Sequence, residues 1–328
     1  VGRQRGPPEE GGVTEPALAA RRAGVDLNEG AAAARGTFGE LLQGILPDGT
    51  DFLATFPITH GTRAWFRYDR SGPPRVYPAN RTKSLRLARA MLAAGGAGGG
   101  GTLILDSDLL VGKGLASSSA DLVATARAVG GVLGLDVSPS GVEDWLRPIE
   151  PTDGVMHPGV VLFDHRNVEL RARLGPVPPA TVVAVDEGGL VDTVAHNRRA
   201  RRVTPVLAAE YARLADDLTA AIGAQDLTAV GAVATRSAVF NQRWLPKRNL
   251  EALIRIAGDL GAAGVVCTHS GTMAGLLLDA TDPGHAEAIA AARAACARLP
   301  GTTSVYRSAA EPSGADPSGT VPGSTHAL

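Results

Sequence analysis

The feature that most constrains this chain is the stretch V-G-K-G-L-A-S-S-S-A-D at residues 111–121. Two glycines stand between a strand-like run (Leu109, Leu110, Val111) and a strongly patterned helix, with three serines at the junction. The helix is expected from about Ser118 to Leu133, because Leu122, Val123, Ala126, Val129 and Val132 fall at helical spacing. Gly112 and Gly114 allow positive φ and a close approach of ligand to backbone. Ser117, Ser118 and Ser119 stand at or near the N-cap, where hydroxyls satisfy free amides. Those amides and the positive end of the helix dipole form a natural anion site, and a triphosphate fits it. A serine cluster before a helix is also often a cap and nothing more.

Two familiar phosphate loops fail on residue identity. The Walker A pattern requires Ser or Thr after its lysine, whereas Lys113 is followed by Gly114. The dinucleotide pattern G-x-G-x-x-G would need glycine where Ser117 stands. The glycine-rich run at residues 95–101 precedes a strand-like segment, residues 102–105, rather than a helix, so it reads as a flexible connector. None of the seven histidines has a zinc-ligand spacing such as H-E-x-x-H.

Composition narrows the remaining classes. The chain has 328 residues, 44% of them hydrophobic, enough for a sizeable core in one large or two ordinary domains. Acidic and basic residues nearly cancel, 33 against 32, which leaves no long-range field to attract nucleic acid or an anionic membrane. Cys267 and Cys296 have no C-x-x-C spacing and read as two reduced thiols. No apolar run approaches the ~18–20 residues that span a bilayer, and the N-terminal segment lacks a signal-peptide core. A soluble, cytoplasmic protein is expected.

Strand and helix signals alternate along the middle of the chain. Residues 52–58, 63–68, 102–105, 181–185, 264–267 and 276–278 read as strands. Long helices are expected at residues 205–222 and 249–260. Residues 1–30 and 308–328 are polar and Pro/Gly-bearing, and are expected to be disordered. The stretch Pro176, Val177, Pro178, Pro179 reads as the seam between an N-terminal unit, 31–178, and a C-terminal unit, 179–307, with the chemistry in the cleft between them.

Three ordered segments resemble the motifs of the GHMP kinases, over roughly residues 33–306. The loop at 111–121 resembles the family's central P-x-x-x-G-L-x-S-S-A, with Leu110 in place of the proline. The segment A-R-G-T-F-G-E-L-L-Q-G at 34–44 is similar to the N-terminal motif, with Arg35 where proline is usual and no lysine after Gly36. The segment T-H-S-G-T-M-A-G at 268–275 resembles the third, glycine-rich motif, in the form found in the L-threonine kinases of cobalamin side-chain synthesis. Residues 191–193 and 237–242 are similar to that branch too. The resemblance implies an α+β GHMP kinase fold, with a ribosomal-protein-S5-like N-terminal domain and a ferredoxin-like C-terminal domain. It implies ATP with Mg²⁺, and L-threonine or a similar hydroxy-amino acid as acceptor. Homoserine, a specialised hydroxylated metabolite, and a nucleotide-binding sensor without turnover are the rival readings. Oligomeric state, a homodimer included, is left open.

The family pattern also assigns roles to individual positions. Gly112, Lys113, Gly114, Leu115, Ala116, Ser117, Ser118 and Ser119 would surround the phosphates, Lys113 being equally readable as a solvated loop lysine. Ser118 is the candidate hydroxyl for the metal ion, with Ser117 and Ser119 as close alternatives, and Glu150 aligns with the metal-binding glutamate. Asp153 aligns with the carboxylate that orients or deprotonates the acceptor hydroxyl, although an Asx-turn before Gly154 would use the same residue. Glu40, Gln43, Asp192, His269, Ser270, Gly271 and Thr272 are the candidate substrate contacts. The cluster Arg198, Arg199, Arg201 and Arg202 is a candidate carboxylate receptor or a solvated helix face.

Overall fold

In the computed structural model, which describes residues 28–190 and 203–309, a bent hairpin organises the rest of the chain. It consists of β1 (Glu29–Ile45) and β2 (Asp51–Asp69), paired antiparallel from Glu29 opposite Arg67 to Ile45 opposite Asp51. After it come β3 (Arg75–Tyr77), α1 (Thr82–Ala94), β4 (Gly100–Ser107), α2 (Ser117–Leu133), α3 (Pro139–Leu146), β5 (Val160–Asp164) and β6 (Glu169–Gly175). Then follow β7 (Ala180–Asp186), α4 (Pro205–Gly223), α5 (Leu227–Asn241), α6 (Leu250–Leu260), β8 (Gly264–Cys267), β9 (Met273–Asp279), α7 (His285–Cys296) and β10 (Thr302–Arg307).

The strands at residues 52–58 and 63–68 are thus a single strand, β2. The irregularity lies in its partner: the β1 register shifts between Arg35 and Thr37, between Thr37 and Glu40, and between Glu40 and Leu42. Such bulges bend and twist a strand. Gly39 sits inside the bend at φ +55°, and a Cβ there would lie 2.5 Å from the Cys267 carbonyl oxygen. The bend and the missing side chain let Glu40 pair with Cys267 on β8. One sheet therefore runs β10-β7-β9-β8-β1-β2-β4-β3, with β5 joining β2 and β6 pairing β5. It continues past the proline-rich stretch expected as a seam, which connects β6 to β7.

Two apolar layers stabilise the sheet. Helix α2 lies across β1 and β2 with α1 and α3 packed on it, and its Leu122, Val123, Ala126 and Val129 are fully buried. A second cluster joins β7, β8 and β9 to α6 and α7 through Val183, Val265, Leu276, Leu253 and Cys296. Each fully buried Val, Leu or Ile side chain contributes about 1.5–3 kcal/mol. Both cysteines are free and buried. Among the described residues no helix is long and apolar enough to cross a membrane.

Helix starts elsewhere use local chemistry. Ser138, Thr204 and Asp226 each accept from a first-turn amide of α3, α4 and α5, at 3.2, 3.2 and 3.0 Å. Each such cap contributes about 1 kcal/mol. The glycine-rich run is no loose connector at its end: Gly100 and Gly101 open β4, and a Cβ at Gly100 would lie 2.3 Å from the Pro74 nitrogen. Order also reaches past both expected boundaries, since β1 begins at Glu29 and the Ala309 amide donates to the Pro57 carbonyl at 2.9 Å. The remainder of the two tails, Asp192 and the arginines at 198–202 lie outside the described residues.

Candidate active site

The serine-rich loop is built differently from the cap expected of it. Strand β4 stops at Ser107, so Leu109, Leu110 and Val111 are not a strand. Leu109 instead turns inward, where a Cβ on Gly36 would meet its side chain at 2.6 Å, while Leu110 and Val111 are exposed. The N-cap of α2 is Ala116, held left-handed at φ 56°, ψ 29°, with no side-chain cap. That conformation costs a non-glycine residue roughly 1–2 kcal/mol. Ser117, Ser118 and Ser119 form the first turn of the helix rather than its cap, and the hydroxyls of Ser118 and Ser119 serve other partners. No side chain caps the first-turn amides, and amides so placed suit an anion.

Neighbouring segments clamp this loop. Thr37 and Gly39 of β1 donate their amides to the carbonyls of Leu115 and Gly114, at 3.3 and 3.1 Å. From the other side, a Cβ on Gly271 would lie 1.9 Å from the Lys113 carbonyl oxygen, so only glycine lets the 268–272 turn seat there. The close approach expected of Gly271 is thus to the loop backbone. Between loop, α1 and the turn after α3 lies a cavity of about 320 Å³. Its walls include Arg81, Lys83, Gly112, Gly114, Leu115, Ala116, Ser117, Ser118, Ser119, Glu150, Asp153 and Ser270.

The acidic turn faces the serines directly. Ser118 donates to Glu150 Oε1, and the Lys83 ammonium pairs with Glu150 Oε2 while reaching Ser118 Oγ at 3.4 Å. One hydroxyl and one carboxylate converge on this ammonium, a donor set that would also suit a hard divalent ion. Among the described residues no group of three or more His, Cys, Asp or Glu could hold a metal ion, so such an ion would need further oxygens from elsewhere. Asp153 is tied to α2 as well: its amide donates to Ser119 Oγ at 3.2 Å and its Oδ2 accepts from the same hydroxyl at 3.2 Å. Burial pushes the Asp153 carboxyl up to about 7, and the negative charges of Glu40 and Glu150 add to this against the Ser119 hydrogen bond. Asp121, one turn along α2, accepts from Thr62 at 2.7 Å and pairs with Arg81 at 3.1 Å.

Several sequence candidates lie behind this wall. Glu40 is buried and accepts from both the amide and Nδ1 of His269, at 3.0 and 2.9 Å. His269 Nε2 lies 2.7 Å from Ser237 Oγ, and that hydroxyl accepts from the Gln43 amide at 3.2 Å. Burial opposes protonation of His269, but the Cys267 sulfur and the Glu40 carboxylate outweigh it and raise the imidazole to about 9. Glu40, Gln43 and His269 therefore form a buried network between β1 and the 268–272 turn rather than the cavity surface. Lys113 leaves the loop to pair with Asp186 at 2.7 Å, and Thr272 donates to the same carboxylate at 2.6 Å. Of the third motif, Ser270 reaches the cavity.

Lys83 and Arg81 were not among the sequence candidates. A faint signal existed for Lys83, one of three lysines among 32 basic residues. Arg81 had none.

Residues 82–159 match the model of the GHMP kinases N terminal domain. The L-threonine kinase of Salmonella typhimurium is 31% identical over 174 residues, which is 53% of this chain and 58% of that protein. The L-threonine kinase of Citrobacter freundii is 29% identical over 176 residues, 53% of this chain and 61% of that protein. The matched part thus spans about three-fifths of these relatives. Among solved structures, a homoserine kinase from Cytophaga hutchinsonii superposes with a TM-score of 0.69 at 15% identity, over 87% of this chain and 96% of that one. Mevalonate-3-kinase from Thermoplasma acidophilum gives 0.65 at 14% identity, over 86% and 97%. At such identities the likeness shows the fold.

Proposed function

From a chain that has the GHMP kinase fold and carries that family's N-terminal domain at residues 82–159, we propose an ATP-dependent kinase that phosphorylates the side-chain hydroxyl of L-threonine or a close hydroxy-amino acid. The observation that carries this reading is the convergence of Ser118, Glu150 and Asp153 with the open amides of α2 in one cavity. Phosphoryl transfer asks a protein mainly for positioning and charge stabilisation, and the cavity provides both.

The first-turn amides of α2 and the backbone of residues 112–116 receive the triphosphate. Ser118 and Glu150 would hold a magnesium ion, which when bound would neutralise charge on the phosphate oxygens. Asp153 orients the acceptor hydroxyl and takes its proton as the new O–P bond forms, while the bond between the γ-phosphorus and the β-bridging oxygen breaks and ADP leaves. A carboxyl at about 7 is well matched to that exchange near neutral pH.

An amino-acid acceptor is supported by a small cavity of about 20 Å³ lined by Gly154, the neighbour of Asp153, together with Arg35 and His157. Arg35 supplies a guanidinium for the α-carboxylate. His157 pairs through Nε2 with Glu143 at 2.5 Å, is held below its usual pKa by burial, and leaves Nδ1 without a hydrogen-bond partner. The cavity has room for about one water-sized group, so only the end of an acceptor would reach it.

The test is ADP release measured with L-threonine, L-homoserine and L-serine, with the product identified by phosphorus NMR. O-phospho-L-threonine as the preferred product supports the proposal. Preference for homoserine moves the substrate assignment, and ATP binding without turnover on any acceptor refutes the enzyme.

A further inference from the structure

Among the described residues three basic side chains stand in or beside the phosphate cavity, and two are already committed. Arg81 is paired with Asp121 at 3.1 Å. Lys113 is paired with Asp186 at 2.7 Å and also donates to the Gly189 carbonyl at 2.7 Å. Lys83 differs, because it contacts the two groups assigned above to the metal ion: Glu150 by ion pair and Ser118 at 3.4 Å. The Glu150 side chain is only 9% exposed and is fixed, while the Lys83 side chain is 42% exposed on a four-carbon stem. A divalent cation and an ammonium cannot share the same pair of oxygens, since like charges repel strongly at such separations. Lys83 sits on the first turn of α1, across the cavity from the first turn of α2, so a displaced ammonium has the phosphate space beside it.

We propose that Lys83 is a movable cation: it holds Ser118 and Glu150 together in the nucleotide-free protein, yields to the metal ion that arrives with the nucleotide, and turns its ammonium onto the phosphates. The inference rests on the reading that this cavity takes a metal-bound nucleotide. It makes metal binding conditional on nucleotide, because the free ion must expel a bound lysine while the metal–nucleotide complex offers that lysine new oxygens.

Lys83→Met keeps the stem and removes the charge, and Lys83→Arg keeps the charge. With no nucleotide present, Mn²⁺ affinity read by electron paramagnetic resonance is expected to rise at least ~10-fold in Lys83→Met, to stay near wild type in Lys83→Arg, and to vanish when Glu150→Gln is added to Lys83→Met. With Mg²⁺ present, Lys83→Met is expected to bind the non-hydrolysable analogue AMP-PNP at least ~10-fold more weakly by calorimetry. Unchanged or weaker Mn²⁺ binding by Lys83→Met overturns the competition, and unchanged AMP-PNP affinity overturns the turn onto phosphate. Failure of the nucleotide reading looks different: the wild type itself would bind no AMP-PNP, whatever the Mn²⁺ result.

Discussion

The carboxyl of Asp153 gives the sharpest test of the site. An aspartate at its ordinary value near 3.8 would be ionised throughout the working range, and activity would be flat from about pH 5.5 to 8. With burial and the charges of Glu40 and Glu150 raising it to about 7, only half of the molecules carry the base at neutrality. Turnover should then fall about 5-fold from pH 7 to 6 and about 10-fold for the next unit, from the titration curve of a single base. Asp153→Asn should lose at least ~10²-fold in turnover while binding AMP-PNP as the wild type does. The same raised value fixes a sign for stability. Between pH 3.8 and about 7 the folded protein holds the proton that the unfolded chain releases, so this group's contribution falls as pH rises through that window. At ~1.4 kcal/mol per pH unit the ceiling is about 4 kcal/mol. Asp153→Asn should therefore be more stable than wild type above pH 7 in urea denaturation, and the gap should close near pH 4. A flat pH–rate profile, or an asparagine variant with near-normal turnover, would refute the assignment of Asp153 as the base.

Other residues yield further expectations. His269→Gln leaves Glu40 buried without its charge partner and should destabilise the fold by about 3–5 kcal/mol at pH 7 in chemical denaturation. Because the imidazole is raised from 6.5 to about 9, its contribution is complete below pH 6.5 and is lost as pH rises through 9, a slope the variant should lack. Gly271→Ala places a Cβ 1.9 Å from the Lys113 carbonyl oxygen and must shift the phosphate loop, so turnover should fall ~10²-fold with the circular dichroism spectrum kept. Gly231→Ala puts a Cβ 2.1 Å from the Ala263 carbonyl oxygen, far from the cavity, and should cost about 1–3 kcal/mol of stability with the Michaelis constants unchanged. Arg35→Gln should raise the Michaelis constant for the acceptor ~10-fold and leave that for ATP alone, since the side chain lies beside the acceptor turn and not the phosphate loop.

Residues 111–121, the periodicity of α2 and the acidic turn at 149–154 were legible from the sequence because each is a local arrangement. A glycine's freedom, a helix's apolar repeat and the crowding of Glu150 and Asp153 into four positions depend only on near neighbours in the chain. Local chemistry misled at one point in the same loop. Three serines before a helix read as caps, yet the left-handed Ala116 moves them one step into the helix and frees the hydroxyls of Ser118 and Ser119 for Glu150 and Asp153.

What tertiary structure alone decided were the partners of charged and small residues. Glu40 and His269 stand 229 positions apart, and only the bend in β1 turns two candidate substrate contacts into a buried ion pair. Lys83 and Glu150 stand 67 apart, and no spacing rule connects them. Periodicity reports which face of an element is buried, but not which element covers it. The role of a lysine or glutamate is set by whatever charge the fold brings opposite, and that information exists only once the sheet has closed β1 onto β8.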